Sequence, residues 1–185
     1  MLSPQALLKC DLTACLQTQQ YVRIYNLSEQ KLVKTLIPGI KWISSMDVHP
    51  SGDHLIVGGY DRKLCWFDLE LSEKPYKVLR YESFLFHENS FTHLFAIRYH
   101  TRAIRSLQFH PSYPLFASSS DDGSIQIFHS RVYNDLMTDP LIVPLKILRG
   151  HQVSDGLGVL QVRWCSKQPW LVSSGADGNV AVWCS

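Results

Sequence analysis

Residues 118–128, SSSDDGSIQIF, set two carboxylates, Asp121 and Asp122, beside Gly123 and ahead of an alternating apolar run. Adjacent acids invite three readings: a catalytic dyad, a cation site or a tight turn. The same shape occurs twice more, as VGGYDRKLCWF over residues 57–67 and SSGADGNVAVW over residues 173–183. One active site needs one copy, so the repetition favours architecture over chemistry. Neighbouring residues of a strand or tight turn also point apart, which argues against a shared carboxylate pair.

Working outward, Asp61, Asp122 and Asp177 each stand six residues before an aromatic, namely Phe67, Phe128 and Trp183. Each also stands twelve residues after a second landmark: His49-Pro50, His110-Pro111, and Cys165-Ser166 where the pattern has decayed. A partial fourth copy, QQYVRIYNL at residues 19–27, has Gln19 in the aspartate's place. The intervals between these anchors are 42, 61 and 55 residues. The excess in the second interval is located by Arg80-Tyr81 recurring as Arg98-Tyr99: removing the 18 residues Glu82 to Tyr99 brings 61 down to 43. The connection from His129 to Pro144 accounts for most of the excess in the third. A period near 42–43 with several short strands per unit fits the roughly 40–45 residues of a four-stranded propeller blade.

Period-two alternation with β-branched and aromatic enrichment predicts strands at 43–48, 54–58, 63–67 and 76–79 in the second unit. The third unit reads as strands at 104–109, 115–118, 124–128 and 145–148, and the fourth as 159–164, 170–173 and 179–183. Pro-Ser-Gly-Asp at 50–53 and Asp-Gly at 122–123 and 177–178 are hairpin turns. In such a turn the aspartate accepts backbone N–H groups, and the following glycine supplies a positive φ. The last unit carries Gly150-His151 before its first strand, then Ser173, Asp177 and Trp183. These four side chains resemble the His, Ser, Asp, Trp hydrogen-bond chain of WD repeats. The third unit retains His100, Ser118 and Asp122 with Phe128 for Trp, whereas the second has Gly39 and Val57 for His and Ser, leaving only Asp61.

The fold expected is therefore all-β: a partial WD-repeat β-propeller of about three to four four-stranded antiparallel blades, not closed by itself. Residues 1–41 form a partial blade, 42–80 a blade, 81–99 an insert, 100–149 a blade with the long connection 129–144, and 150–185 a last blade lacking its outer strand. His151, Ser173 and Asp177 are also the residue types of a hydrolase triad. No nucleophile elbow accompanies them, and their offsets recur where one active site would need them once.

Composition is globular, with 45% hydrophobic and 11% aromatic residues. A net charge of +2 creates no global field that would demand nucleic acid or membrane. Five scattered cysteines, Cys10, Cys15, Cys65, Cys165 and Cys184, include no CxxC pair, which argues against a disulfide framework and a zinc site and predicts reduced thiols. The eight histidines show no HExxH spacing, no apolar run approaches the ~18–20 residues of a membrane span, and MLSPQALLKC lacks the features of a signal peptide. No cofactor, metal or small-molecule substrate is expected.

The runs KWISSMDVHPSGDHLIVGGYDRKLCWFDLELSEKPYKVLRY, AIRSLQFHPSYPLFASSSDDGSIQIFHSRVYNDLMTDPLIVPLKILRGH and LGVLQVRWCSKQPWLVSSGADGNVAVW closely resemble the C-terminal propeller of the block-of-proliferation (Erb-type) ribosome-biogenesis proteins. The likeness covers about Leu16 to Trp183, and its diagnostic pieces are WISS…VHP, YDRKLCWFDL, KPYKVLRY and VYNDL…DPLIVPLK. It implies a non-enzymatic scaffold of large-subunit (60S) assembly in the nucleolus and nucleoplasm, supporting pre-rRNA processing. The partners it implies are Pescadillo, a second WD-repeat protein, and pre-60S particles with their pre-rRNA. The alternatives are a WD-repeat adaptor of another complex and a propeller hydrolase. Arg62, Lys63, Arg102 and Arg105 are candidate partner or RNA contacts, as are Tyr133, Leu136 and Met137 in the connection. Family members are far longer, and MLSPQALLKCDL and the insert ESFLFHENSFTHLFAIRY have no family counterpart, so a truncated or alternatively spliced product, or an aberrant gene model, is expected.

Overall fold

The computed structural model describes residues 12–16, 20–80, 99–133 and 141–184. Gln19, the insert through Arg98, Leu136 and Met137 lie outside them. The described residues contain no helix and form four antiparallel sheets. The first holds β1 (Leu12–Leu16), β2 (Val22–Asn26) and β3 (Lys31–Leu36). The second has β4 (Ile43–Val48), β5 (His54–Gly59), β6 (Lys63–Asp68) and β7 (Lys77–Arg80), hydrogen-bonded in that order. β8 (Ile104–Phe109), β9 (Leu115–Ser120), β10 (Ser124–Arg131) and β11 (Leu141–Arg149) repeat the arrangement. β12 (Val159–Trp164), β13 (Leu171–Gly175) and β14 (Val180–Trp183) make the last, three-stranded sheet. The meander order and the open end identify an arc of propeller blades that does not close.

Core formation happens between the sheets. Val22, Ile24 and Leu36 of the first pack with Leu55, Val57, Cys65 and Phe67 of the second. Ile56, Leu64, Trp66 and Leu79 of the second meet Ile104, Leu107, Phe109, Phe116 and Phe128 of the third. Ala117, Ile125 and Ile127 of the third meet Val159, Val162 and Leu171 of the fourth. A middle strand thus buries both faces, and all six residues of β5 are buried. That accounts for the near-continuous apolar run HLIVGG where a half-exposed strand would alternate.

The inner strands add a polar seam. Ser45 Oγ and an Asp47 carboxylate oxygen on β4 accept the N–H groups of Leu107 (3.0 Å) and Phe109 (2.7 Å) on β8. Gln108, at the position on β8 that Asp47 holds on β4, accepts the N–H of Trp164 on β12, and its carbonyl accepts the Trp164 indole at 3.2 Å. The penultimate residues of β4 and β8 therefore each satisfy a backbone donor of the next sheet.

β10 and β11 run further than the alternation suggests, pairing as far as Arg131 with Leu141. Pro144 masks this run in the sequence. It lies opposite Phe128, next to a bulge on the outermost strand, where a missing N–H is tolerated. Much of the connection 129–144 is therefore hairpin stem.

At the open end, Val180 and Val182 are 69% and 58% exposed. They stand at the same offsets from their turn aspartate as Leu64 and Trp66, or Ile125 and Ile127, which a following sheet covers. This uncovered apolar face makes self-association the expected behaviour of the isolated chain. Val180→Lys combined with Val182→Glu should raise the soluble, monomeric fraction in analytical ultracentrifugation; an unchanged distribution would show that this face does not drive association.

The turn-bearing face and its hydrogen-bond chains

The hairpin turns at Asp61, Asp122 and Asp177 and the loops entering β4, β8 and β12 share one end of the arc. Asp177 and His151 tie the last of these loops down. The His151 ring places Nδ1 3.1 Å from Asp177 Oδ1 and Nε2 2.8 Å from Ser173 Oγ, and Ser173 Oγ accepts the Trp183 indole N–H at 2.8 Å. With the imidazole neutral and its proton on Nδ1, three members each donate once and the carboxylate accepts: indole to hydroxyl, hydroxyl to Nε2, Nδ1–H to carboxylate. Asp177 also accepts the backbone N–H groups of Gln152 and Asn179, so one carboxylate clamps the incoming loop to the turn. Those amides, Gln152 first, hold its pKa well below the usual carboxylate range against the effect of burial. The fit is close: a Cβ on Gly175 would stand 2.3 Å from His151 Nδ1 and 2.4 Å from Asp177 Oδ1.

The third sheet repeats the clamp without the indole. His100 lies 2.7 Å from Ser118 Oγ through Nε2 and 3.1 Å from Asp122 Oδ2 through Nδ1. Asp122 further accepts the N–H groups of Thr101 and Ser124 and the Ser124 hydroxyl. Burial works against its ionised form, but the His100 ring and both Ser124 donors outweigh it, leaving the pKa below 3.8. Asp121 points the other way, accepting Arg105 Nε at 2.9 and 2.8 Å and the Gly158 N–H at 3.3 Å, which links the third sheet to the fourth. The adjacent acids thus serve two separate partners.

In the second sheet Lys63 and Cys65 hold the loop. Lys63 Nζ lies 3.3 Å from Asp61 and donates to Gly39 O at 2.9 Å, and the buried Cys65 thiol donates to Pro38 O at 3.3 Å. Burial pushes that thiol up to about 12.

The Ser–His–Asp geometry is that of a hydrolase triad, yet Ser173 and Ser118 are 1% and 0% exposed, and the Ser173 oxygen already accepts an indole. No cluster of ligating side chains suited to a metal occurs among the described residues. Of the basic candidates, Arg105 is neutralised by Asp121 and lies over the Tyr60 ring at 4.8 Å, and Lys63 is held by Asp61. Arg62 and Arg102 are exposed. Tyr133 lies under Arg131, on the far side of the blade. The inter-sheet acceptors Ser45, Asp47 and Gln108 and the Arg105–Asp121–Gly158 link were not foreseen. Polar residues inside otherwise apolar inner strands were their sequence signal.

Against known proteins, the profile of the family described as "WD domain, G-beta repeat" matches residues 30–68, 91–129 and 142–184. The chain is 77% identical over 168 residues to "Ribosome biogenesis protein ERB1" of Coprinopsis cinerea. It is 55% identical over 166 residues to the erb1 protein of Schizosaccharomyces pombe and 53% identical over 163 residues to "Ribosome biogenesis protein bop1-A" of Xenopus laevis. These matches take in 91%, 90% and 88% of the chain but only 20% of each relative. The resemblance to the block-of-proliferation family is borne out.

Two outcomes follow for the clamps, both measured by urea unfolding in the soluble Val180→Lys, Val182→Glu background. Ser173→Ala leaves the half-buried Trp183 indole N–H and a ring nitrogen without partners and should cost about 2–3 kcal/mol, against about 1–2 for Ser118→Ala, which orphans the ring alone. A larger loss for Ser118→Ala would contradict the assigned chain. Because the Asp122 pKa is depressed in the folded state, its contribution is full above the ordinary value of 3.8 and is lost as pH falls through the folded value. Stability should therefore drop as the solution is acidified below about pH 4, with a shallower slope in Asp122→Asn. Parallel slopes would exclude this carboxylate as the source.

Proposed function

The chain belongs to the WD-repeat family, and from that premise we propose that it is a non-enzymatic docking scaffold in assembly of the large ribosomal subunit. The observation that carries the reading is the 77% identity over 168 residues to a protein named for ribosome biogenesis. Burial of both clamp serines supports the absence of catalysis: neither hydroxyl is open to a substrate, and one is already occupied as an acceptor. In this reading Asp61, His100, Ser118, Asp122, His151, Ser173, Asp177 and Trp183 hold loops to blades, while the rims and faces bind. The partners are a second WD-repeat protein, Pescadillo and pre-60S particles with their pre-rRNA. The place of action is the nucleolus and nucleoplasm.

Because the chain spans about a fifth of the length of these relatives, its test is whether this portion suffices for association. Tagged chain should co-sediment with pre-60S particles in a sucrose gradient and recover large-subunit precursor rRNA above a propeller control. Recovery of an unrelated assembly, with precursor rRNA at background, would replace this reading with that of an adaptor.

A further inference from the structure

Arg62 sits where the other turns have glycine. Its φ of 66° matches the 77° of Gly123 and the 76° of Gly178. All three follow the turn aspartate and close the same hairpin, with N–H bonds of 3.2, 3.2 and 3.3 Å to Gly59, Ser120 and Gly175 carbonyls. A left-handed backbone strains any residue with a Cβ and costs glycine nothing, so here the fold carries a side chain it would be more stable without. Strain of this kind is a feature of binding sites, and the surroundings of Arg62 are those of one. Trp42, 62% exposed, and Tyr60, 42% exposed, are neighbours, with the Tyr60 N–H donating to Trp42 O at 3.0 Å. From the next blade, Arg105 donates to the Tyr60 hydroxyl at 3.2 Å and lies over its ring at 4.8 Å.

The charges here are unbalanced. Asp61 is engaged by Lys63, Asp121 by Arg105 and Asp122 by His100, whereas exposed Lys41, Arg62 and Arg102 pair with no described residue. Tryptophan, tyrosine and arginine are the side chains that dominate protein interfaces, and here a turn and the loop beside it bring them together. Three cations without a described partner at this site are few for a nucleic-acid backbone, whose binding rests on neutralising many phosphates.

We propose that Trp42, Tyr60 and Arg62 form a docking site for an acidic segment of a partner protein, with Lys41 and Arg102 meeting its outer carboxylates. The inference rests on the scaffold reading only in expecting a partner. The test is photo-crosslinking in the organism's own cells, with benzoylphenylalanine replacing Lys41 and, as a control at the opposite end of the arc, Tyr113. The expected product at position 41 is an adduct to an Asp/Glu-rich protein segment, absent at position 113. Arg62→Gly should lower its yield by roughly tenfold while the melting temperature holds or rises. Adducts to RNA, no adduct, or a yield indifferent to Arg62→Gly would each overturn the proposal. Pre-60S co-sedimentation of the same samples separates the two readings: an acidic-protein adduct without pre-60S association would leave this site standing and remove the ribosomal role.

Discussion

Everything in this chain depends on one constraint: a middle blade buries both of its faces, so it is stable only between two others. Trp66 shows the constraint at one residue. Its ring is wholly buried, meets Phe109 edge-on at 5.4 Å and Phe116 at 6.2 Å in the third sheet, and donates its indole N–H to His54 in its own sheet. Burying such a side chain contributes on the order of 2–3 kcal/mol, none of it available to an isolated four-stranded sheet. Stability is therefore a nearest-neighbour property, as in other repeat architectures, and the ends of the arc are its weakest points. The polar seam along the inner strands follows from the same geometry. Each inner strand leaves one edge without a ladder partner, and Ser45, Asp47 and Gln108 supply the missing acceptors from the preceding blade.

Apolar burial does not fix the loops, and here the blades use two solutions to one problem. In the third and fourth, a buried imidazole spans the gap between a strand serine and the turn aspartate, so the loop is held from inside by a chain of donors that leaves no member unsatisfied. In the second, the corresponding space is filled by Ile40, packed against Gly59, while Lys63 and the Cys65 thiol reach loop carbonyls. This exchanges a polar network for an apolar plug with two tethers, and it leaves one oxygen of Asp61 buried without a partner. The hairpin role of the turn aspartate therefore belongs to the third and fourth sheets, where Asp122 and Asp177 accept the N–H groups of Ser124 and Asn179, while Asp61 meets only Lys63 among the described residues.

That difference explains what was legible in the sequence. Features fixed by local offsets, such as turn aspartates, hairpin glycines and alternating strands, could be read directly, and with them the blade period and the family. The clamp members could be nominated because their spacing repeats. Contacts between blades could not: Asp47 and Phe109 are 62 residues apart, and only the register of two separate sheets brings them together. The full length of β11 is hidden for a different reason, since a proline inside a strand is informative only once the strand is known to be an edge.

The same logic separates residues that serve the fold from those that serve a partner. A side chain that stabilises the fold improves on its simplest replacement: Ser173 is better than alanine because a buried imidazole nitrogen and a half-buried indole N–H need it, and Gly175 is better than alanine because the imidazole occupies the space. Arg62 fails this test, because glycine would relieve its backbone and no described contact would be lost. Trp42 fails it as well, since 62% of its surface lies in water, where a large ring gains little from folding. Residues that the fold does not need, gathered on a turn that the fold holds rigid, are what selection by binding leaves behind.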